Sequence, residues 1–277
     1  MTATSWFVQL ANALTLDAST VDADGNLWTA TELAGWFGTT NVRSESGEAA
    51  PLGSAFTVGR ENGRAMTLVG AAYSTSGKKL GSTQWHLAER RLKAAVANWV
   101  ASPALLKVTE PGLAAQAMVY RVGNVLIGGN PPFFTMDFQI PLLAMDPRRY
   151  SQNLTTNTSL LLTGSNGDVG AAVTITSDMP TGPLVTINGP AGTPFIRNNS
   201  LSGSPKVQYN GTLGGGDTLV LDLQNLTAVL NGTTNVRANL SLANWWQLWP
   251  GVNNLEYFRS SGSSNSTAQL DYRQAYS

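Results

Sequence analysis

The chain holds one histidine and no cysteine, which narrows the chemistry open to it. Thiol nucleophiles, disulfide frameworks and thiolate-ligated zinc or iron–sulfur sites are excluded, and one copy cannot assemble a multi-histidine metal site. The single histidine, His86, follows Trp85. A catalytic imidazole needs a nucleophile on one nitrogen and an orienting carboxylate on the other. No Gly-x-Ser-x-Gly elbow, Walker loop or His-Glu-x-x-His segment marks such partners, so His86 reads as structural. Glycoside hydrolysis asks for two carboxylates facing one cleft. Asp217 and Asp222 are an odd number of residues apart, which on one strand sends them to opposite faces. Asp168, Asp178 and Asp217 sit in Gly- or Pro-rich stretches, where aspartate is common for backbone reasons, and calcium binding is the minor reading of them. The glycines of residues 123–129 lack the strand–turn–helix context of a phosphate loop and read as an ordinary turn. The chain therefore reads as a non-enzyme: no residue is assigned a catalytic, cofactor-binding or metal-binding role.

Binding chemistry is more open. Trp245, Trp246 and Trp249 stand close together, and exposed indoles form platforms on which sugars stack. Three of them could form a glycan-contact face. The competing reading is core packing, since strand alternation lets only some of these rings share a face. Eight Asn-x-Ser/Thr sequons fall in the second half, at Asn153, Asn157, Asn198, Asn210, Asn225, Asn231, Asn239 and Asn265. An Asn- and Thr-rich β protein generates these by chance.

The elements that must position such residues follow from composition and periodicity. In 277 residues, 17 Lys and Arg balance 17 Asp and Glu, and only 12% of residues are charged. A neutral, charge-poor chain is not a nucleic-acid binder held by phosphate neutralisation. The 42% hydrophobic content is enough to bury a core. No secretory signal and no apolar run long enough for a membrane span is visible. Charge thins sharply after Asp146-Pro147-Arg148-Arg149-Tyr150, and a domain boundary is expected there, giving domains 1–150 and 151–277.

The first domain reads as α+β. Strands are expected at 6–16, 53–58, 65–73, 116–122 and 133–142, with a turn at 22–26. One long helix is expected over about 83–100. Trp85, Ala88, Leu92, Val96 and Trp99 share its buried face, and Ser82 or Thr83 caps its start. The second domain reads as all-β, with strands near 159–163, 171–176, 184–188, 195–197, 206–209, 218–223, 227–230, 237–242, 255–259 and 268–272. Asn-Gly pairs at 166, 188, 210 and 231 mark hairpin turns between them. Many short, evenly spaced strands suggest a sandwich.

The segment Trp246-Gln247-Leu248-Trp249-Pro250-Gly251-Val252-Asn253-Asn254-Leu255-Glu256-Tyr257 resembles the terminal motif of the distal tail proteins of long-tailed, non-contractile bacteriophages. There a strand ending in Leu-x-Pro-Gly is followed by x-Asn-x-[Leu/Ile]-x-[Tyr/Phe]. Residues 217–222 followed by 228–232, and Ala144-Met145-Asp146-Pro147 with Tyr150, are also similar to the family. The resemblance implies a mainly β protein with two parts: a ring-forming belt domain with a split β-barrel and one helix, then a galectin-like sandwich. It implies a homo-hexameric ring at the distal end of the tail in the virion. The tail tube would lie above it and the tail-tip hub below. The ring would leave a channel for the tape-measure protein and DNA, with receptor-binding proteins as further partners and no membrane contact. The runner-up function is a carbohydrate-binding module that attaches the tail to host-envelope glycans. The charged stretch 43–64 matches no family motif and is expected to be an inter-subunit loop.

Overall fold

The computed structural model describes residues 6–277 except 12, 38–41, 44–45, 48–54, 57–59, 62, 76–79, 129–134, 163–166 and 263–265. Most of the charged stretch 43–64, the expected strand at 53–58 (except residues 55–56) and Asn166 therefore lie outside the described residues. The chain divides into two compact units, residues 1–152 with Ser277, and residues 153–276.

The first unit is a barrel. Thr135–Ala144 pairs with Arg64–Ser74, then come Asn26–Ala34, Leu14–Val21, Phe7–Leu10, Ala104–Glu110 and Leu113–Arg121. The last of these returns to the first, closing seven strands through the pairs Tyr120↔Leu143 and Arg121↔Leu142. Alternation drives the closure: in Arg64–Ser74 and Thr135–Ala144 every second residue is buried, so each strand turns one face inward. Val8, Leu16, Trp28, Leu68, Leu106 and Ile140 share that interior. Gly70 is required where the Phe138 ring crosses its strand, because a Cβ there would lie 2.5 Å from Phe138 Cζ.

The segment expected as one strand at 6–16 is two strands. Ala11 takes a positive φ of 49°, Ala13 N–H bonds back to Leu10 O, and Phe7–Leu10 pairs antiparallel with Leu14–Val21. Ala104–Glu110 and Asn26–Ala34 were not anticipated. The helix α1 runs Ser82–Ala95 and buries Trp85, Ala88 and Leu92. Its N-cap is Gly81, with no side-chain cap, so Ser82 and Thr83 lie inside the first turn. Val96 leaves the helical region and the chain tightens into a 3-10 turn, Ala97–Val100, that still buries Trp99. Arg91 ties the helix to the 22–26 turn, with Nη2 2.6 Å from Asp24 Oδ2 and Nε 3.2 Å from Asp22 Oδ2. Asp22 also accepts from the Trp28 indole at 2.8 Å.

The second unit is a sandwich of two antiparallel sheets. One holds, in order, Thr155–Leu162, Ser266–Tyr272, Leu184–Asn188, Thr218–Asp222, Thr227–Leu230 and Thr234–Asn235. The other holds Gly167–Ile175, Gly251–Arg259, Phe195–Asn198, Lys206–Tyr209 and Leu240–Ala243. Val185, Ile187, Leu219, Ile196, Val207, Leu255 and Tyr257 meet between them in one core. Asn231-Gly232 forms its hairpin with φ of 52° and 74°, the two positive values that a type I′ turn needs. Residues 237–242 are not one strand: Arg237–Asn239 form a 3-10 turn and the strand is Leu240–Ala243. Asp168 lies within the strand Gly167–Ile175 rather than in a turn.

Candidate functional site

The three tryptophans do not form one surface. Trp246 is buried, Trp245 is half-buried against the core, and Trp249 is 53% exposed. A stacking platform made of all three rings is therefore not available. The segment lies outside any regular strand, held by the single bridge Leu248↔Thr181; it feeds Trp246 and Leu248 inward and leaves Trp249 on the turn. Trp249 is the one exposed indole among the eight tryptophans, all of which are described.

The turn that carries it is rigidly built. Gly251 holds φ +97°, a left-handed conformation that disfavours any residue with a Cβ. Asn253, 1% exposed, receives the Trp249 N–H at 3.0 Å and donates to Trp249 O at 2.7 Å and Gly251 O at 3.2 Å. Asn198, fully buried, donates to Asn253 Oδ1 at 3.1 Å. Glycosylation at the Asn198 sequon would destroy this pair. Beyond the turn, Val252, Asn254 and Glu256 face outward from the strand Gly251–Arg259, alternating with buried Asn253, Leu255 and Tyr257.

Glu256 is the most tightly held charge of that face. Arg197 Nη2 donates to both its oxygens at 2.5 and 2.6 Å, and Asn199 Nδ2 to one at 2.9 Å. Partial burial pushes its pKa up, but the Arg197 and Asn199 hydrogen bonds outweigh that and lower it.

A second surface lies on the first unit. Leu113–Arg121 buries Ala115, Ala117 and Val119 and turns Met118 outward, 51% exposed. Leu105 is its cross-strand partner. Tyr120 faces Leu143 at the barrel seam, and Met145, 66% exposed, follows directly on the end of the strand Thr135–Ala144. Leu105, Met118, Tyr120 and Leu143 thus make an outward apolar band along the seam, and the exposed Met145 lies just past the end of its strand. Sequence reasoning missed it. Its signal was present in the strand's alternation, where the outward Met118 and Tyr120 are apolar as well as the inward residues, beside one polar outward position, Gln116.

The titratable residues weighed for catalysis serve turns and helix surface. His86 lies on the exposed side of α1, with Nδ1 3.4 Å from Glu89 Oε2, and Glu89 also pairs with Lys93 at 2.6 Å. Asp217 receives the Gly214 N–H at 2.7 Å and the Asn231 side-chain amide at 2.8 Å. Asp222 receives the Gln224 and Asn225 N–H groups. Among the described residues no group of three acidic or histidine side chains is placed to hold a metal ion.

At the domain junction, Asp146 closes on its own segment. Arg148 Nε and Nη2 each donate to it at 2.9 Å, and Tyr150 Oη donates at 2.6 Å. Burial raises the Asp146 pKa, but these donors outweigh it and the net shift is downward; burial and Asp146 together raise that of Tyr150.

Residues 176–276 match the family model of the siphovirus-type tail component, C-terminal domain. Over 98% of its length the chain superposes on 99% of the SPP1 Dit protein, described as a paradigm of the hub adsorption apparatus of phages infecting Gram-positive bacteria, with a TM-score of 0.66 at 12% identity. It also aligns over 96% of its length with 97% of a chain in the activated baseplate of phage P2, at a TM-score of 0.47 and 7% identity. No curated protein matches the sequence. Residues 176–276 thus match the siphovirus-type tail component, C-terminal domain, and the chain as a whole shares the fold of SPP1 Dit.

Proposed function

We propose that six copies of this chain close into a ring at the distal end of the tail, joining the tail tube to the tail-tip hub. Residues 1–152 act as the belt and residues 153–276 as a galectin-like domain that makes further contacts, receptor-binding proteins among them. The tape-measure protein and DNA pass through the central opening. The function is assembly rather than catalysis.

The observation that carries this reading is the fold shared with SPP1 Dit over nearly the whole of both chains. The apolar band around Met118 and Met145 supports it, because a belt that joins copies needs an outward surface of this kind. A ring uses a heterologous contact, one patch meeting a different patch on the next copy. Methionine suits such a surface, being apolar and adaptable in shape. A formal net charge of zero suits a passage that must not hold DNA.

The test is the native mass of the purified chain across concentrations, with electron-microscope images of the main species. A ring of about 176 kDa, six times the 29.3 kDa of one chain, with an open centre is the expected result. Assembled belts that leave no central channel would overturn the proposal.

A further inference from the structure

The outward face of the five-stranded sheet carries a second feature. Between the strands Gly167–Ile175 and Gly251–Arg259 lies an open hollow of about 330 Å³, at the small end of ligand sites. Its shape comes from side-chain size. Gly170 pairs with Glu256 and Ala172 with Asn254, so two long polar side chains stand opposite two that barely rise from the backbone. Asn199 completes the rim. At the head of the same strand stands the exposed Trp249, on the turn locked by Asn253.

The chemistry of this hollow is specific. The Arg197 charge is neutralised by Glu256, so an anion finds no free guanidinium there. Glu256 accepts from Arg197 and Asn199 and retains further lone-pair directions for a hydroxyl donor. Asn254 is exposed, and its amide offers both donors and an acceptor. Planar groups that together donate and accept, set over a floor of small residues, suit the vicinal hydroxyls of a sugar ring, and the exposed indole stands a few residues along the chain.

We infer that the face bounded by Trp249, Asn254 and Glu256 is a binding site for a neutral saccharide. Asn254 and Glu256 hydrogen-bond its hydroxyls, and Trp249 contacts an adjoining sugar ring. Of the three tryptophans, Trp249 alone takes part. The inference stands apart from ring closure, because binding is measured on the chain whatever its oligomeric state.

The experiment presents the purified full chain to an array of neutral hexose and N-acetylhexosamine oligosaccharides, then titrates the best of them by calorimetry. Asn254→Ala and Trp249→Ala remove exposed side chains, so both variants retain the melting temperature of the unmodified chain, which is checked. Each is expected to weaken binding about tenfold or more. Glu256→Gln, which keeps the shape but breaks the Arg197 pair, is expected to weaken it as well. Three results would each overturn the inference: no neutral oligosaccharide binding at about millimolar concentration, binding equal in Asn254→Ala and Trp249→Ala to that of the unmodified chain, or binding confined to polyanionic glycans. Native mass measured on the same variants separates failure here from failure of the ring.

Discussion

At the scale of single residues, this molecule uses its side-chain polar groups mainly to fix turns. Asp146 is the clearest case, since one carboxylate receives the Arg148 guanidinium and the Tyr150 hydroxyl within five residues of sequence. Asp146→Asn removes the charge and mismatches both donors. It should cost roughly 1–2 kcal/mol, held low because the carboxylate is about a third open to water. The pH dependence follows from the same contacts. The folded pKa of Asp146 is depressed, so its contribution is present above the ordinary aspartate value of about 3.9 and is lost as pH falls through the lower folded value. Acid titration of the first unit, followed by tryptophan fluorescence, should show the wild-type chain losing part of its stability there and the variant losing less. Equal acid sensitivity would contradict the assignment. Asn253 is the counterpart in the second unit. Asn253→Ala strips partners from Trp249, Gly251 and the buried Asn198 amide together, and the denaturant midpoint of that unit should fall by the equivalent of about 1–3 kcal/mol.

At the scale of elements, legibility in the sequence tracked how local the determining physics was. Asn231-Gly232 forms its turn because both residues tolerate positive φ, and that is written in two letters. The helix face Trp85, Ala88 and Leu92 is written in periodicity, and it is buried. The helix end was less visible: Val96 departs from helical geometry and the last turn narrows to 3-10, which no spacing rule announces. Residues 6–16 carried no glycine or proline, yet Ala11 turns with a positive φ and splits the segment. Asn26–Ala34 pairs with Arg64–Ser74 across a long stretch of chain, and such pairing leaves no local mark. The candidate sites followed the same rule. Trp249 could be named, but its isolation from Trp246 depends on which face the sandwich buries. Glu256 and Arg197 come together from 59 residues apart. The apolar band at the barrel seam is of this kind too, and it yields an element-scale prediction. Met118→Glu combined with Met145→Glu places charge on two exposed positions, so the barrel folds, while a ring that uses this band falls apart to monomers. Sedimentation at matched concentration checks it, and an unchanged ring mass would move the contact elsewhere.

At the scale of the whole molecule, charge decides what kind of assembly is physically available. Twelve basic and eleven acidic residues lie in residues 1–150, and five and six in the remainder, so neither domain presents a strong field of one sign. Joining copies through ion pairs would need complementary clusters, and those contacts would weaken as salt screens them within about 10 Å at 0.1 M. Apolar burial and backbone pairing are not screened, and excluded salts strengthen apolar burial. A ring held by the seam band should therefore persist, or tighten, from roughly 0.05 to 1 M salt. The measurement is native mass by light scattering across that range, using sodium chloride and then ammonium sulfate. Dissociation in sodium chloride would assign the interface to charged residues instead, with the stretch 43–64, which carries Arg43, Glu45, Glu48, Arg60, Glu61 and Arg64, as the first place to look. Persistence in both salts, together with dissociation of the double methionine variant, would fix the apolar band as the contact that closes the ring.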